Sequence, residues 1–166
     1  LFDSRFGLTE SVYYYNRAFA EYHEDRYGTR QTIDYRLDNP IWRVNASVRA
    51  EGVNISDIPP WATPAITDDR GSSFLLGLGG GVTRDTRDSF LLPTEGSVLD
   101  ARFEQVVGDY TFPIGTFEGS TFATIYQRKD GSGKHVLANR SQVSVTSQNA
   151  PVFERFYAGG FRSLRG

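Results

Sequence analysis

Between Ile41 and Gly52 the chain changes character at every second residue. Trp42, Val44, Ala46, Val48, Ala50 and Gly52 hold one parity, and Arg43, Asn45, Ser47, Arg49 and Glu51 hold the other. A helix would scatter both sets around its axis, whereas a strand places each set on its own face. The pattern predicts a strand with one apolar and one strongly polar face. Just upstream, Tyr27, Thr29, Gln31, Ile33, Tyr35 and Leu37 oppose Arg30, Thr32, Asp34 and Arg36. Asp38-Asn39-Pro40 lies between the two runs and is a tight-turn signal, so together they predict a hairpin.

The same period recurs downstream. Over 73–86, Phe74, Leu76, Leu78 and Val82 alternate with Gly77, Gly79, Gly81, Thr83 and Asp85. Over 98–107, Leu99, Ala101, Phe103 and Val107 share a parity against Asp100, Arg102 and Glu104. Residues 120–128 and 135–146 predict two more strands around Asp130-Gly131-Ser132-Gly133, with their faces left open. The Tyr-rich opening, residues 6–22, predicts a strand of weaker alternation carrying a bulge. No segment has helical periodicity. The expected fold class is all-β, with about seven antiparallel strands in up-and-down order.

Strand length then separates two architectures. A soluble sandwich or a lipocalin-like barrel also alternates, with its apolar face turned to a dry centre. Several of the predicted strands, however, far exceed the roughly 5 to 6 residues usual in soluble sheets. Short turns are expected at 38–40, 89–96 and 130–134, and longer loops at 20–26, 54–72 and 108–119. Long strands, lopsided loops and a face carrying Arg43, Arg49 and Glu51 favour a transmembrane β-barrel, with lipid outside and a watery lumen inside. Tyr22, Tyr27, Trp42, Phe74, Tyr110, Phe112 and Tyr126 are then candidates for an interfacial aromatic girdle.

Composition narrows the function classes. Twelve Phe, nine Tyr and two Trp would have to go unburied in a disordered chain. A net charge of −2 lacks the basic surplus of a nucleic-acid binder. With no cysteine there is no disulfide framework, thiolate metal site or Cys nucleophile. Methionine is also absent and the first residue is Leu, so the chain is expected to be a processed product or a piece of something longer.

The candidate chemistry is sparse. Gly77-Leu78-Gly79-Gly80-Gly81-Val82 invites a nucleotide-loop reading, but the third fingerprint glycine falls on Val82, no helix follows, and the Walker lysine is missing. A glycine-bearing strand face that permits close packing or a bend is the better account. His23 and His135 have no ligand-like spacing to carboxylates, and no Gly-x-Ser-x-Gly elbow is present. Glu24-Asp25 and Asp68-Asp69 read as solvated loop charges. No catalytic constellation, metal site or cofactor is expected, so the chain does not read as an enzyme.

Two segments depart from generic strand sequence. In the first, Asp85-Thr86-Arg87-Asp88 leads to Pro93-Thr94-Glu95-Gly96, where Pro93 presets one backbone angle and Gly96 permits a left-handed one. The second, Phe153 to Gly166, combines aromatics, the adjacent Gly159 and Gly160, and arginines. Glycine allows it to fold back sharply, and arginines entering a lumen need acidic partners.

Together these segments resemble the BamA-type outer-membrane β-barrel assembly factors. That family carries an Asp-x-Arg-Asp, Pro-x-x-Gly turn between two strands and, further on, Phe-Tyr-x-Gly-Gly leading to an Arg-Gly-aromatic motif in a lid loop. Here the matches are Asp85, Arg87, Asp88, Pro93 and Gly96, then Phe156, Tyr157, Gly159 and Gly160 with Leu164, Arg165 and Gly166. The resemblance implies a sixteen-stranded barrel, of which residues 1–146 are about the fifth to eleventh strands and 147–166 the start of the lid loop. An open sheet of this size leaves two edges that lipid cannot satisfy, so these residues are expected to act only within the larger barrel.

The resemblance further implies insertion of nascent β-barrel proteins into the outer membrane of a Gram-negative-type cell, without bond chemistry or nucleotide. Implied partners are outer-membrane lipid, the nascent barrels, periplasmic transport-associated domains upstream in the chain, and accessory assembly lipoproteins. Arg165 would anchor the lid loop in the lumen through a charge-assisted hydrogen bond, with Gly159 and Gly160 shaping it. By parity, Arg43, Arg49, Arg102 and Glu104 face the lumen and are candidates for supporting that loop. Alternatives are a two-partner secretion or translocation transporter of the same superfamily, a passive porin-like barrel, and a soluble β-sandwich binding module.

Overall fold

The computed structural model describes residues 5–131 and 133–156. Seven strands form one antiparallel sheet in sequence order: β1 (Phe6–Ala18), β2 (His23–Arg36), β3 (Trp42–Ser56), β4 (Gly71–Asp85), β5 (Gly96–Gly108), β6 (Phe112–Gln127) and β7 (Lys134–Thr146). A four-residue helix, α1 (Pro64–Thr67), interrupts the β3–β4 connection, and a 3-10 turn spans Val152–Glu154 after β7. The all-β meander predicted from period two is the observed fold.

Register places the two parities on opposite faces of the whole sheet. Tyr14, Tyr27, Gly52 and Phe74 are successive cross-strand neighbours, as are Val48, Leu78 and Gln105. These positions look outward, and the apolar ones stay exposed: Leu8 is 75% and Val12 79% accessible. The charged parity looks inward, where Arg49 and Glu51 are buried to 5% and 4%. A soluble sandwich has the reverse arrangement. The sheet is also strongly curled. Arg30 on β2 reaches Glu104 on β5 with an Nη2–Oε2 distance of 3.1 Å. In a flat sheet those strands would lie roughly 14 Å apart, three spacings of about 4.8 Å.

One end of the inner face is apolar. Val53, Ile55, Leu75, Val106 and Phe112 continue the inward parity of their strands and are buried with Tyr22, Ile66 of the β3–β4 connection, and Ala150 and Val152 of the segment after β7. The lumen there is filled by chain rather than water, and apolar side chains inside are the consequence. Tyr22 and Phe112 therefore belong to this plug, and Tyr110 packs against it. None of the three joins an outward girdle, whereas Tyr27, Trp42, Phe74 and Tyr126 are exposed.

Two expectations about connections fail. The loops expected at 20–26 and 108–119 are mostly strand, and at that end only 57–70 is long, beside tight turns at 19–22 and 109–111. Glu24 and Arg26 mimic loop residues because their charge faces the lumen. Gly115 and Gly119 are outward positions with no side chain to signal their parity, and Leu99 Cδ2 covers Gly119. The bulge expected in the first strand is also misplaced. β1 pairs with β2 in unbroken register, and the irregularity sits in β6 between Thr124 and Tyr126.

Candidate functional site

The inner face carries its charge as one connected cluster near the apolar plug. β2 supplies Glu24, Arg26 and Arg30, two residues apart or a multiple of two, so all three point inward. β3 supplies Arg49 and Glu51 on the same logic, and β5 supplies Glu104. The Arg26 Nε atom lies 2.8 Å from Glu24 Oε1 and its Nη1 lies 3.0 Å from Glu51 Oε2. Arg49 donates from Nη1 to Glu51 Oε2 at 2.6 Å and from Nε to Glu104 Oε1 at 2.6 Å. The Tyr13 hydroxyl of β1 donates to the remaining Glu51 oxygen.

Arg49 and Glu104 flank β4 and meet across it, which requires β4 to present no side chains between them. Gly77 pairs with Arg49 and Gly79 with Glu104. A Cβ on Gly77 would sit 2.2 Å from Glu104 Oε1 and 3.2 Å from Arg49 Nε. This is the close packing that the glycine run suggested, and it gives the run a role: a bare floor over which the ion pair closes.

The segment after β7, residues 147–156, turns back over this cluster as a strap. Glu154 Oε1 lies 2.5 Å from Arg26 Nη1, and Oε2 lies 3.3 Å from Arg49 Nη2. Arg26 Nη2 also donates to the Phe153 carbonyl at 3.2 Å. Asp69 makes a second tie to the strap's backbone: its Oδ2 accepts the Val152 N–H at 2.6 Å while its Oδ1 accepts the Tyr110 hydroxyl at 2.8 Å. Burial, and then this bond to Asp69, push the Tyr110 phenol up to about 12. Asp69 and Glu24 are buried, which corrects their reading as solvated loop charges.

The remaining lumen-facing residues lie outside the cluster. Arg43 Nε is 4.0 Å from Asp34, and Arg102 Nε is 2.5 Å from Asp100; both arginines are more than half exposed. They line a polar cleft of about 270 Å³ with Arg30, Thr32, Asn45 and Ser47. Of the four residues singled out by parity, Arg49 and Glu104 touch the cluster. Glu24 and Arg26 were missed although the polar parity of 30–36, extended backwards, reaches both. Nothing local marks Glu154.

The second sequence-derived site lies in the β4–β5 turn, at the opposite end of the strands. Asp85 Oδ1 accepts the Arg87 backbone N–H at 3.1 Å, and Oδ2 receives Arg87 Nη2 at 2.6 Å. Asp88 Oδ1 accepts the Thr94 and Glu95 N–H groups at 2.8 and 3.1 Å, and Oδ2 accepts the Thr94 hydroxyl at 2.6 Å. The Thr94 hydroxyl, followed by those backbone donors, holds the Asp88 carboxyl well below the usual carboxylate range. Gly96 adopts φ +95°, and a Cβ there would strike the Thr86 carbonyl oxygen at 2.2 Å. Pro93 completes the turn, which presents Phe90, Leu91 and Leu92 to solvent. Within the predicted lid motif, Phe156 is half-exposed at the end of the strap, and Tyr157, Gly159, Gly160, Leu164, Arg165 and Gly166 lie outside the described residues.

Known proteins share this sequence pattern. The chain is 34% identical over 95 residues to the outer membrane protein assembly factor BamA of Nitratidesulfovibrio vulgaris, covering 51% of this chain and 11% of that protein. It is 24% identical over 149 residues to a SAM50-like protein of Schizosaccharomyces pombe, covering 87% of this chain and 29% of the relative. It is 26% identical over 137 residues to the human sorting and assembly machinery component 50 homolog, covering 76% and 28%. The chain thus spans less than a third of the length of each of these relatives. The Omp85 superfamily domain matches residues 1–166, and with a curled, inside-out meander whose glycine-floored lumen receives its own strap, the chain belongs to the Omp85 superfamily.

Proposed function

We propose that this chain is the wall and lid root of a factor that folds nascent β-barrel proteins into an outer membrane. The observation that carries this reading is the return of the strap into the lumen, where Glu154 bonds Arg26 and Arg49 immediately before the Phe-Tyr-x-Gly-Gly and Arg-Gly residues. The relatives named as assembly factors or assembly-machinery components support the same reading.

The physical task is to bring strand edges into hydrocarbon, where each unsatisfied N–H or C=O costs several kcal/mol. An imperfectly closed seam elsewhere in such a barrel templates pairing with an incoming strand. Residues 6–146 supply the rigid lipid-facing wall. The strap, residues 147–156, holds the root of the lid against the inner face, and Asp85, Arg87, Asp88, Pro93 and Gly96 fix a periplasmic turn. Arg165 anchors the lid loop, and Arg49 and Glu104 support its root. Partners are outer-membrane lipid, nascent barrels, upstream periplasmic domains and accessory lipoproteins. The 34% identity to the bacterial relative supports the outer membrane of a Gram-negative-type cell, and the longer matches to the two eukaryotic relatives support an organellar outer membrane as the second reading.

The test is Arg165→Ala in the full-length protein. Steady-state levels of outer-membrane barrel proteins are expected to fall severalfold while the variant itself accumulates normally. Unchanged levels together with unchanged protease resistance of the lid loop would refute the assignment.

A further inference from the structure

The charge balance of the cluster is unusual. Without the strap, the wall already sets Arg26, Arg30 and Arg49 against Glu24, Glu51 and Glu104. Every one of these guanidiniums has a wall carboxylate: Arg26 has Glu24 and Glu51, Arg30 has Glu104, and Arg49 has Glu51 and Glu104. Glu154 brings a fourth carboxylate to three cations. Withdrawing one member of a buried pair ordinarily leaves its partner as an uncompensated buried charge, and that is what makes such pairs hard to open. Here withdrawal of Glu154 leaves no guanidinium stranded, and the excess negative charge leaves with it.

The strap is built to match. Upstream of Glu154 it is held by Ala150 and Val152 in the apolar plug and by the Val152 N–H on Asp69. Downstream, Arg155 turns back to the Ala150 carbonyl at 2.9 Å, a contact within the strap itself. Among the described residues, the ties from positions 153–156 to the barrel wall's charge are those of Glu154, the Phe153 carbonyl and the Phe153 ring. The ring centroid lies 5.7 Å from the Arg26 guanidinium carbon, and the ring also meets Tyr110 edge-on at 5.9 Å.

We propose that Glu154 is a releasable latch. It holds the strap end inside the lumen and can let go without breaking the wall's own network, with Val152 as the pivot that stays seated. The inference rests on the assembly reading for its consequence, which is control of when the lumen is open, and on the charge geometry for its existence.

The chain carries its own reporters, because trypsin cuts after Arg155, Arg162 and Arg165. In the full-length protein in lipid vesicles, Glu154→Gln is expected to speed cleavage at these sites roughly tenfold to a hundredfold, the effect of weakening charge-assisted hydrogen bonds in a local opening. Mobility on unheated gels should remain that of a folded barrel. Glu154→Asp should recover part of the protection. Glu118→Gln removes a lumenal carboxylate outside this network, one bonded to Arg140, and is expected to leave the cleavage rate unchanged. Unchanged cleavage in Glu154→Gln, equal loosening by Glu118→Gln, or failure of Glu154→Gln to fold would each overturn the latch. Client assembly scored in the same strains separates the two readings. Faster cleavage with normal assembly keeps the latch and removes the role given to the lid, whereas protected sites with normal assembly remove the latch alone.

Discussion

Replacing Gly77 by Ala tests whether the lumenal ion pair depends on a bare strand beneath it. The added Cβ would lie 2.2 Å from Glu104 Oε1 and 2.8 Å from its Cδ. The carboxylate must retreat by more than an ångström to reach ordinary contact, which breaks its 2.6 Å bond to Arg49 Nε. A hydrogen bond between charged groups contributes about 1.5–3 kcal/mol. Removing glycine from a strand returns roughly 0.5–1 kcal/mol. The expected net loss is about 1–2 kcal/mol. Gly80→Ala is the control: it lies in the same run on the outward parity, and its Cβ would meet only the Asn45 carbonyl oxygen at 3.2 Å. That variant is expected to cost less than Gly77→Ala, because the carbonyl oxygen need yield only a few tenths of an ångström and no ion pair is broken. Equilibrium urea unfolding of the full-length protein, followed by tryptophan fluorescence, reads the difference. With a slope of about 2 kcal/mol per molar, the Gly77→Ala midpoint should fall by about 0.5–1 M. In a Glu104→Ala background the cost should vanish, because the clash has no partner left. Equal midpoints for the two single variants, or a cost that persists without Glu104, would refute the reasoning.

Two further outcomes are expected. Val44→Arg places a charge on the outward face and should cost about 2–4 kcal/mol if it lies near the bilayer midplane, whereas Arg43→Lys on the lumenal face should be nearly silent; matched stabilities in lipid vesicles would overturn the face assignment. Asp88 has a depressed folded-state pKa, so its contribution to the turn is complete above the unfolded value of about 3.9 and is lost as pH falls through the lower folded value. The Thr94 amide resonance should therefore keep its position down to about pH 4 and shift only below it; a midpoint at or above the ordinary Asp value would sink this account.

Much of the architecture was legible along the chain because side-chain direction in a strand is a local property. Alternation at 41–52, 73–86 and 98–107 is enough to assign strands, pair them and sort their faces, whatever the rest of the molecule does. The turn at Asp85–Gly96 was legible for a similar reason, since its donors and acceptors lie within a few residues of one another. Where side chains carry no hydropathy signal the reading failed, as at Gly115 and Gly119, or where charge mimicked a loop, as at Glu24 and Arg26. The clasp was beyond local inference altogether. Glu154 and Arg26 are 128 residues apart, and Arg49 meets Glu104 only because the sheet curls and β4 is bare between them. Periodicity settles which face a residue occupies, but the partners it finds there depend on curvature and on the path of the returning strap, and those are set by the packing of all seven strands at once.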